Sequence, residues 1–163
     1  QQTGATIPLA LIDKIKRSDS FGKGQALGEV VEAAILDMDW HSLPASAARQ
    51  DANAFEAKSL AQMALDTRNV PPRYRSSYFL HIWGNGYSAG YYAYLWTQML
   101  ENDAYRWFVA NGGMTRANGQ RFRDMILSRG HSLDYGPMFR AFYGKDPDIG
   151  PMLEENGLMA TTR

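Results

Sequence analysis

Apolar residues recur near helical spacing along most of this chain. Leu27, Val30, Val31, Ala34, Ile35 and Met38 set the pattern, between breaks at Phe21-Gly22-Lys23-Gly24 and at Pro44. Residues repeating near every 3.6 positions form one stripe on a helix, whereas a half-buried strand needs a period of two. The pattern therefore predicts an all-α fold of about six helices with short loops. At 163 residues the chain is long enough for a real core and short for two domains, so a single helical domain over 1–163 is expected.

Glycine, proline and capping residues place the helices. The first is expected over 7–18, with Pro8 in its first turn and Leu9, Leu11, Ile12 and Ile15 as its apolar stripe. The second spans 26–40, with Glu29, Glu32, Asp37 and Asp39 on its other faces. Asp51 caps a third, running to 65, with Phe55, Leu60 and Met63 inward and Glu56 and Lys58 outward. Residues 66–77 read as a loop holding Pro71-Pro72 and the basic run Arg73-Tyr74-Arg75. The loop extends through Tyr87, because Gly84 and Gly86 flank Asn85. A helix then runs to 109, with Tyr87, Tyr91 and Tyr94 on one face, and ends at Asn111-Gly112-Gly113. Thr115 caps a helix to 129 with Phe122, Met125 and Ile126 inward. Ser132 caps a shorter one to 143, carrying Met138, Phe139 and Phe142. After a turn-rich connector from Gly144, a last turn over 151–155 precedes a frayed end.

Composition removes several functions. Seventeen basic and 17 acidic residues give no net charge, so neither nucleic acid nor a membrane is an expected partner. With no cysteine there is no disulfide, thiolate nucleophile or Cys-ligated zinc. His41, His81 and His131 are too far apart in sequence to form a local ligand pair, and no metal site is expected in this chain. There is no G-x-S-x-G elbow, and the glycines at 84, 86 and 90 lack the preceding strand and following lysine of a phosphate loop.

Residues 78–96 then stand out, with a histidine, paired glycines and closely spaced tyrosines. One reading is a buried aromatic helix with its phenols hydrogen-bonded at the core edge. The other is a set of donors. A Tyr O–H and an imidazole N–H can stabilise an oxyanion, beside a loop without Cβ atoms that lets a peptide backbone approach.

The stretch Tyr78-Phe79-Leu80-His81-Ile82-Trp83-Gly84-Asn85-Gly86-Tyr87, continuing through Tyr94 to Trp96, resembles the substrate-binding segment of the thimet-oligopeptidase-like M3 zinc metallopeptidases. Within that family it is most similar to the bacterial peptidyl-dipeptidases. Residues 34–41, 70–79, 113–123 and 126–130 and Pro151-Met152-Leu153 resemble the same group. The resemblance implies a helical ellipsoid split by a deep channel, with this piece as its C-terminal wall. It implies zinc-dependent removal of dipeptides from the free C-terminus of oligopeptides. It also implies zinc on an HExxH helix, with a further glutamate ligand, all upstream of this chain. The chain is then expected to hold no cofactor itself, to need the missing N-terminal catalytic half as partner, and to be inactive alone.

By the same resemblance, Tyr94 corresponds to the tyrosine that donates to the scissile carbonyl oxygen, and His81 to the histidine at the rim of the site. Tyr87 corresponds to the substrate-contacting tyrosine at the end of the glycine loop. Gly84, Asn85 and Gly86 correspond to the loop that closes over peptide, with Asn85 where many members carry glycine. His41 and His131 read as structural or surface residues. A wall cut from a larger protein exposes an apolar face, which predicts a symmetric homodimer, with or without exchanged helices. The alternative function is a stand-alone, non-catalytic helical domain that self-associates. The cytoplasm is the expected compartment, and the periplasm the second choice.

Overall fold

The computed structural model describes residues 4, 6–19, 21–64 and 70–159, and among these every regular element is helical. The helices are α1 (Leu9–Asp19), α2 (Lys23–His41), α3 (Ala52–Gln62), α4 (Leu80–Gly84), α5 (Ala93–Ala110), α6 (Arg116–Met125), α7 (Tyr135–Tyr143) and α8 (Gly150–Glu155). Short 3-10 turns occupy Ser76–Tyr78 and Leu127–Arg129. The fold is all-α, as the spacing predicts. The third helix stops at Gln62, with Met63 as its C-cap, short of the expected 65, and the expected fraying of 160–163 lies outside the described residues. No helix among the described residues is long and apolar enough to cross a membrane. The chain divides into two compact units, Gln1–Tyr94 and Leu95–Arg163.

In the first unit, α1 buries none of its residues, and its expected apolar stripe stays open, with Leu9 78% exposed. An amphipathic stripe is covered only where a second apolar surface meets it. In α2 the inward face is not the expected one. Glu32 and Asp37 are buried beside Ala33, Ala34 and Leu36, while Met38 is exposed. Asp37 turns inward because its carboxylate accepts backbone N–H groups from a distant turn. Glu32 turns inward without such compensation, and burial, reinforced by Glu29, raises its carboxyl above the ordinary range.

Asp51 caps α3 by accepting from the Ala54 N–H at 2.8 Å, as its sequence position predicts. Glu56 is a correction: expected outward, it is buried. Its two oxygens accept from Ser76 N–H and Arg75 Nε, each at 2.8 Å. Met63, expected inward, is 55% exposed. The side of α3 that meets α2 and Ser76 is thus partly polar, and Ser59 donates to Asp39 at 2.5 Å within it. Arg75 of the basic run is committed to this ion pair while its side chain stays partly exposed.

Ser76 engages three elements at once. Its N–H goes to Glu56, its hydroxyl accepts from Trp40 Nε1 at 2.9 Å, and its carbonyl accepts from Trp83 Nε1 at 2.8 Å. The stem of α4 is thereby fixed to α2 and α3.

In the second unit, Ala104, Phe108, Phe139 and Phe142 form the core, lined by Trp107, Phe122, Met125 and Ile126. The inward residues expected for α6 belong to it, as do Phe139 and Phe142 of α7, whose Met138 is also buried. Gly112 and Gly113 take φ of 90° and 83°, and Gly113 N–H closes onto Phe108 C=O at 2.7 Å, giving the expected glycine stop for α5. Thr115 caps α6 through Asn118 N–H. The helix stops at Met125 and tightens into the 3-10 turn rather than reaching 129. The α7 cap is Asp134, not Ser132. Asp134 accepts from Gly136 N–H, whereas the Ser132 hydroxyl donates to Arg129 C=O. Asp103, fully buried, accepts from Asp148 N–H at 2.9 Å and holds the segment ahead of α8.

Candidate functional site

The segment from Tyr78 to Tyr94 is not the loop-then-helix that glycine spacing suggests. A single helical turn, α4, carries His81 and ends at Gly84. A Cβ at Gly84 would meet Leu80 Cδ1 at 2.9 Å, the end of an exposed side chain that can swing aside. Gly86 takes φ 78°, the left-handed region open to glycine. Tyr87 N–H then donates to His81 C=O at 3.2 Å, and Ser88 Oγ donates to Ile82 C=O at 2.6 Å. These bonds close 81–88 into a compact turn.

Tyr87, Tyr91 and Tyr94 do not lie along one helical face, because α5 starts only at Ala93. Between them Ala89 adopts φ 54° and Gly90 N–H bonds Tyr87 C=O at 2.8 Å. The turn nevertheless brings the rings together. Tyr87 and Tyr94 stack with centroids 5.3 Å apart, and Tyr91 lies 4.9 Å from Tyr94. His81 sits among them, 6.1 Å from Tyr87, 6.5 Å from Tyr94 and 5.6 Å from Tyr91. Tyr91 is buried, while Tyr87 and Tyr94 are open, Tyr94 to 42%. Gly84, Asn85 and Gly86 form the exposed turn between His81 and Tyr87.

The structure thus converges the three side chains singled out in the sequence. It adds Tyr91 and Tyr74 to them. Tyr74 lies 4.6 Å from His81 and stacks on the buried Phe79 at 5.1 Å. Its only sequence signal is an aromatic residue inside a basic run. His41 and His131 have other partners. His41 Nδ1 is 2.8 Å from Asp37 Oδ1, and His131 lies beside Tyr135 in the second unit.

The electrostatics suit neutral donors. A hydrogen bond with Tyr87 pushes the Tyr94 hydroxyl up to about 12. Burial raises the Tyr91 hydroxyl as well. Tyr94 therefore keeps its proton at neutral pH, the form in which a phenol donates. His81 Nδ1 is buried with no hydrogen-bond partner among the described residues. Glu32 Oε2 and Asp103 Oδ1 are in the same state. A cleft of about 490 Å³ between α2 and α3, lined by Asp39, Phe55, Lys58 and Ser59, contains none of these residues.

Residues 1–158 match peptidase family M3. This chain belongs to peptidase family M3. The dipeptidyl carboxypeptidase of Escherichia coli (strain K12) is 52% identical over 157 residues, covering 96% of this chain and 23% of that protein. The dipeptidyl carboxypeptidase of Salmonella typhimurium is 53% identical over 156 residues, with the same two coverages. Oligopeptidase A of Escherichia coli is 32% identical over 160 residues, again 96% and 23%. The M3 chain described here therefore spans less than a quarter of the length of these curated relatives.

Zinc is the metal an M3 peptidase implies. No three His, Asp or Glu side chains converge as a metal-binding group among the described residues, so the residues present do not fit a zinc site. The side chains gathered in this segment are the imidazole of His81 and the phenols around it, beside the exposed turn at 84–86.

Proposed function

We propose that this M3 segment is the substrate-binding and oxyanion-stabilising portion of a zinc-dependent peptidyl-dipeptidase that removes C-terminal dipeptides from oligopeptides. The observation that carries the reading is the convergence of His81, Tyr87 and Tyr94 beside an exposed glycine turn. The dipeptidyl carboxypeptidases at 52% and 53% identity support the substrate class.

The roles follow from the chemistry of each group. Attack on a peptide carbonyl places negative charge on its oxygen, and a preorganised donor about 3 Å away stabilises that charge more than the neutral carbonyl. Tyr94 is that donor: its proton is retained, and its hydroxyl turns from Tyr87 to the developing oxyanion. His81 supplies a further polar group at the rim, and Tyr87 contacts the peptide. The turn Gly84-Asn85-Gly86 approaches the peptide backbone closely because two of its three residues lack a Cβ. Zinc binding, the general base and water activation belong to the remainder of an M3 peptidase, the partner this chain requires.

Exchange of this chain for the matching segment of the Escherichia coli dipeptidyl carboxypeptidase tests the reading. The chimera is expected to release dipeptides from a peptide with a free C-terminus, and the 163-residue chain alone, supplied with zinc, to release none. A folded, zinc-loaded chimera that cleaves nothing, or cleavage by the isolated chain, would overturn it.

The isolated chain is further expected to self-associate as a homodimer. Leu9, Leu11 and Ile15 on α1 and the adjoining Phe21 are exposed, and apolar surface of this kind drives association. Light scattering should return twice the 18.3 kDa of one chain. A sharp monomer peak at all concentrations would rule the dimer out.

A further inference from the structure

The carboxylate of Asp37 is fully buried on α2, yet it serves a turn far along the chain. Its Oδ1 accepts from Ala89 N–H at 2.9 Å and its Oδ2 from Tyr91 N–H at 2.8 Å. His41 Nδ1 lies 2.8 Å from Oδ1 and closes the remaining side. The two backbone bonds reach across 52 and 54 residues of sequence. Two N–H groups aimed at one side chain need two acceptor oxygens. A carboxylate of this length provides them, whereas an amide provides one acceptor and turns a donor toward the second N–H.

The residues it holds are those that set the spacing of the donors. Ala89 has φ 54°, a conformation that residues with a Cβ rarely adopt, and its own N–H is one of the two that Asp37 accepts. Tyr91 packs against both His81 and Tyr94. Tyr87 is joined to the same turn through the bond from Gly90 N–H. A shift of residues 89–91 therefore moves Tyr87 and Tyr94 relative to each other and to His81.

We propose that Asp37 is the positioning residue of the donor site: its buried carboxylate clamps the strained turn at Ala89 and so fixes the stacking of Tyr87 on Tyr94 beside His81. The inference rests on reading those tyrosines as the donor pair, but its test uses neither peptide nor catalysis. The chain with ¹³C-labelled tyrosine is compared with Asp37→Asn by NMR. The unmodified chain is expected to show contacts between the Tyr87 and Tyr94 rings. Asp37→Asn loses them, and the ionisation midpoint of Tyr94 falls by about one unit toward that of an ordinary phenol. Helical circular dichroism and the ring signals of Phe142 stay unchanged. Adding Ala89→Gly, which makes the left-handed turn accessible without the clamp, restores at least half of the lost contact intensity. A folded Asp37→Asn chain with both tyrosine readouts intact overturns the proposal. So does a loss that Ala89→Gly leaves untouched, since Asp37 would then merely support the fold. Should Asp37→Asn not fold, hydrogen exchange in the unmodified chain decides. The amides of Ala89 and Tyr91 are expected to exchange at least about tenfold more slowly than that of Ser88, and equal rates refute the clamp. Failure of the peptidase reading would instead appear as an inactive chimera with these NMR results unchanged.

Discussion

Tyr94→Phe, introduced into the active chimera, is expected to lower kcat for dipeptide release by about 10²–10³-fold with KM changed by less than about threefold. The substitution deletes one hydroxyl and keeps the ring that stacks on Tyr87 at 5.3 Å and packs near Tyr91 at 4.9 Å. Ground-state packing is therefore preserved, and what is lost is a donor that matters most when charge sits on the carbonyl oxygen. An interaction made chiefly in the transition state appears in kcat. The open position of Tyr94 allows its hydroxyl to leave Tyr87 and meet a substrate oxygen. Steady-state kinetics on one C-terminally free peptide measures both constants. An increase in KM with kcat preserved would reassign Tyr94 from oxyanion stabilisation to simple peptide binding.

Phe142→Ala is expected to destabilise the second unit by about 3–5 kcal/mol. Phe142 is buried at the centre of its aromatic cluster, with Trp107 at 4.6 Å, Phe122 at 5.3 Å and Phe108 at 6.4 Å. Arg121 adds to the loss. Its guanidinium lies 5.9 Å from the ring centroid, a contact the alanine variant lacks, whereas its 2.9 Å bond to the Phe142 backbone C=O is retained. Neighbours contributed by α5 and α6 are held by their own helices and relax only partly into the space vacated by the ring. Such a cavity retains both the lost transfer energy and the lost contacts. Urea unfolding followed by circular dichroism measures the change. A shift below about 1 kcal/mol would show that the cluster collapses around the gap.

The local features of this chain were legible because they depend on neighbours in sequence. Asp51 and Thr115 cap helices through N–H groups three residues on, and Phe139 and Phe142 face inward at the spacing of one helical turn. The buried acids were not legible, because their compensation comes from afar. Glu56 is matched by Arg75 and Ser76, 19 and 20 residues on, and Asp37 by a turn more than 50 residues away. A pattern-based reading puts such residues outside, because burying an unpaired charge is unfavourable. The tyrosines illustrate the opposite error. Their spacing fits a helix face, but Ala89 and Gly90 interrupt the helix and a turn brings the rings together instead. The roles of His81, Tyr87 and Tyr94 rest on family resemblance, while their mutual geometry is a property of the turn.

The three bonds to Ser76 make it a fulcrum. Its amide is committed to α3, its hydroxyl to α2 and its carbonyl to the indole of Trp83 at the far end of the His81 turn. The stem cannot slide against either helix without breaking at least one of the three. A displacement that carries α4 away from α2 or α3 costs these bonds, whereas the exposed turn at 84–86 makes none of them.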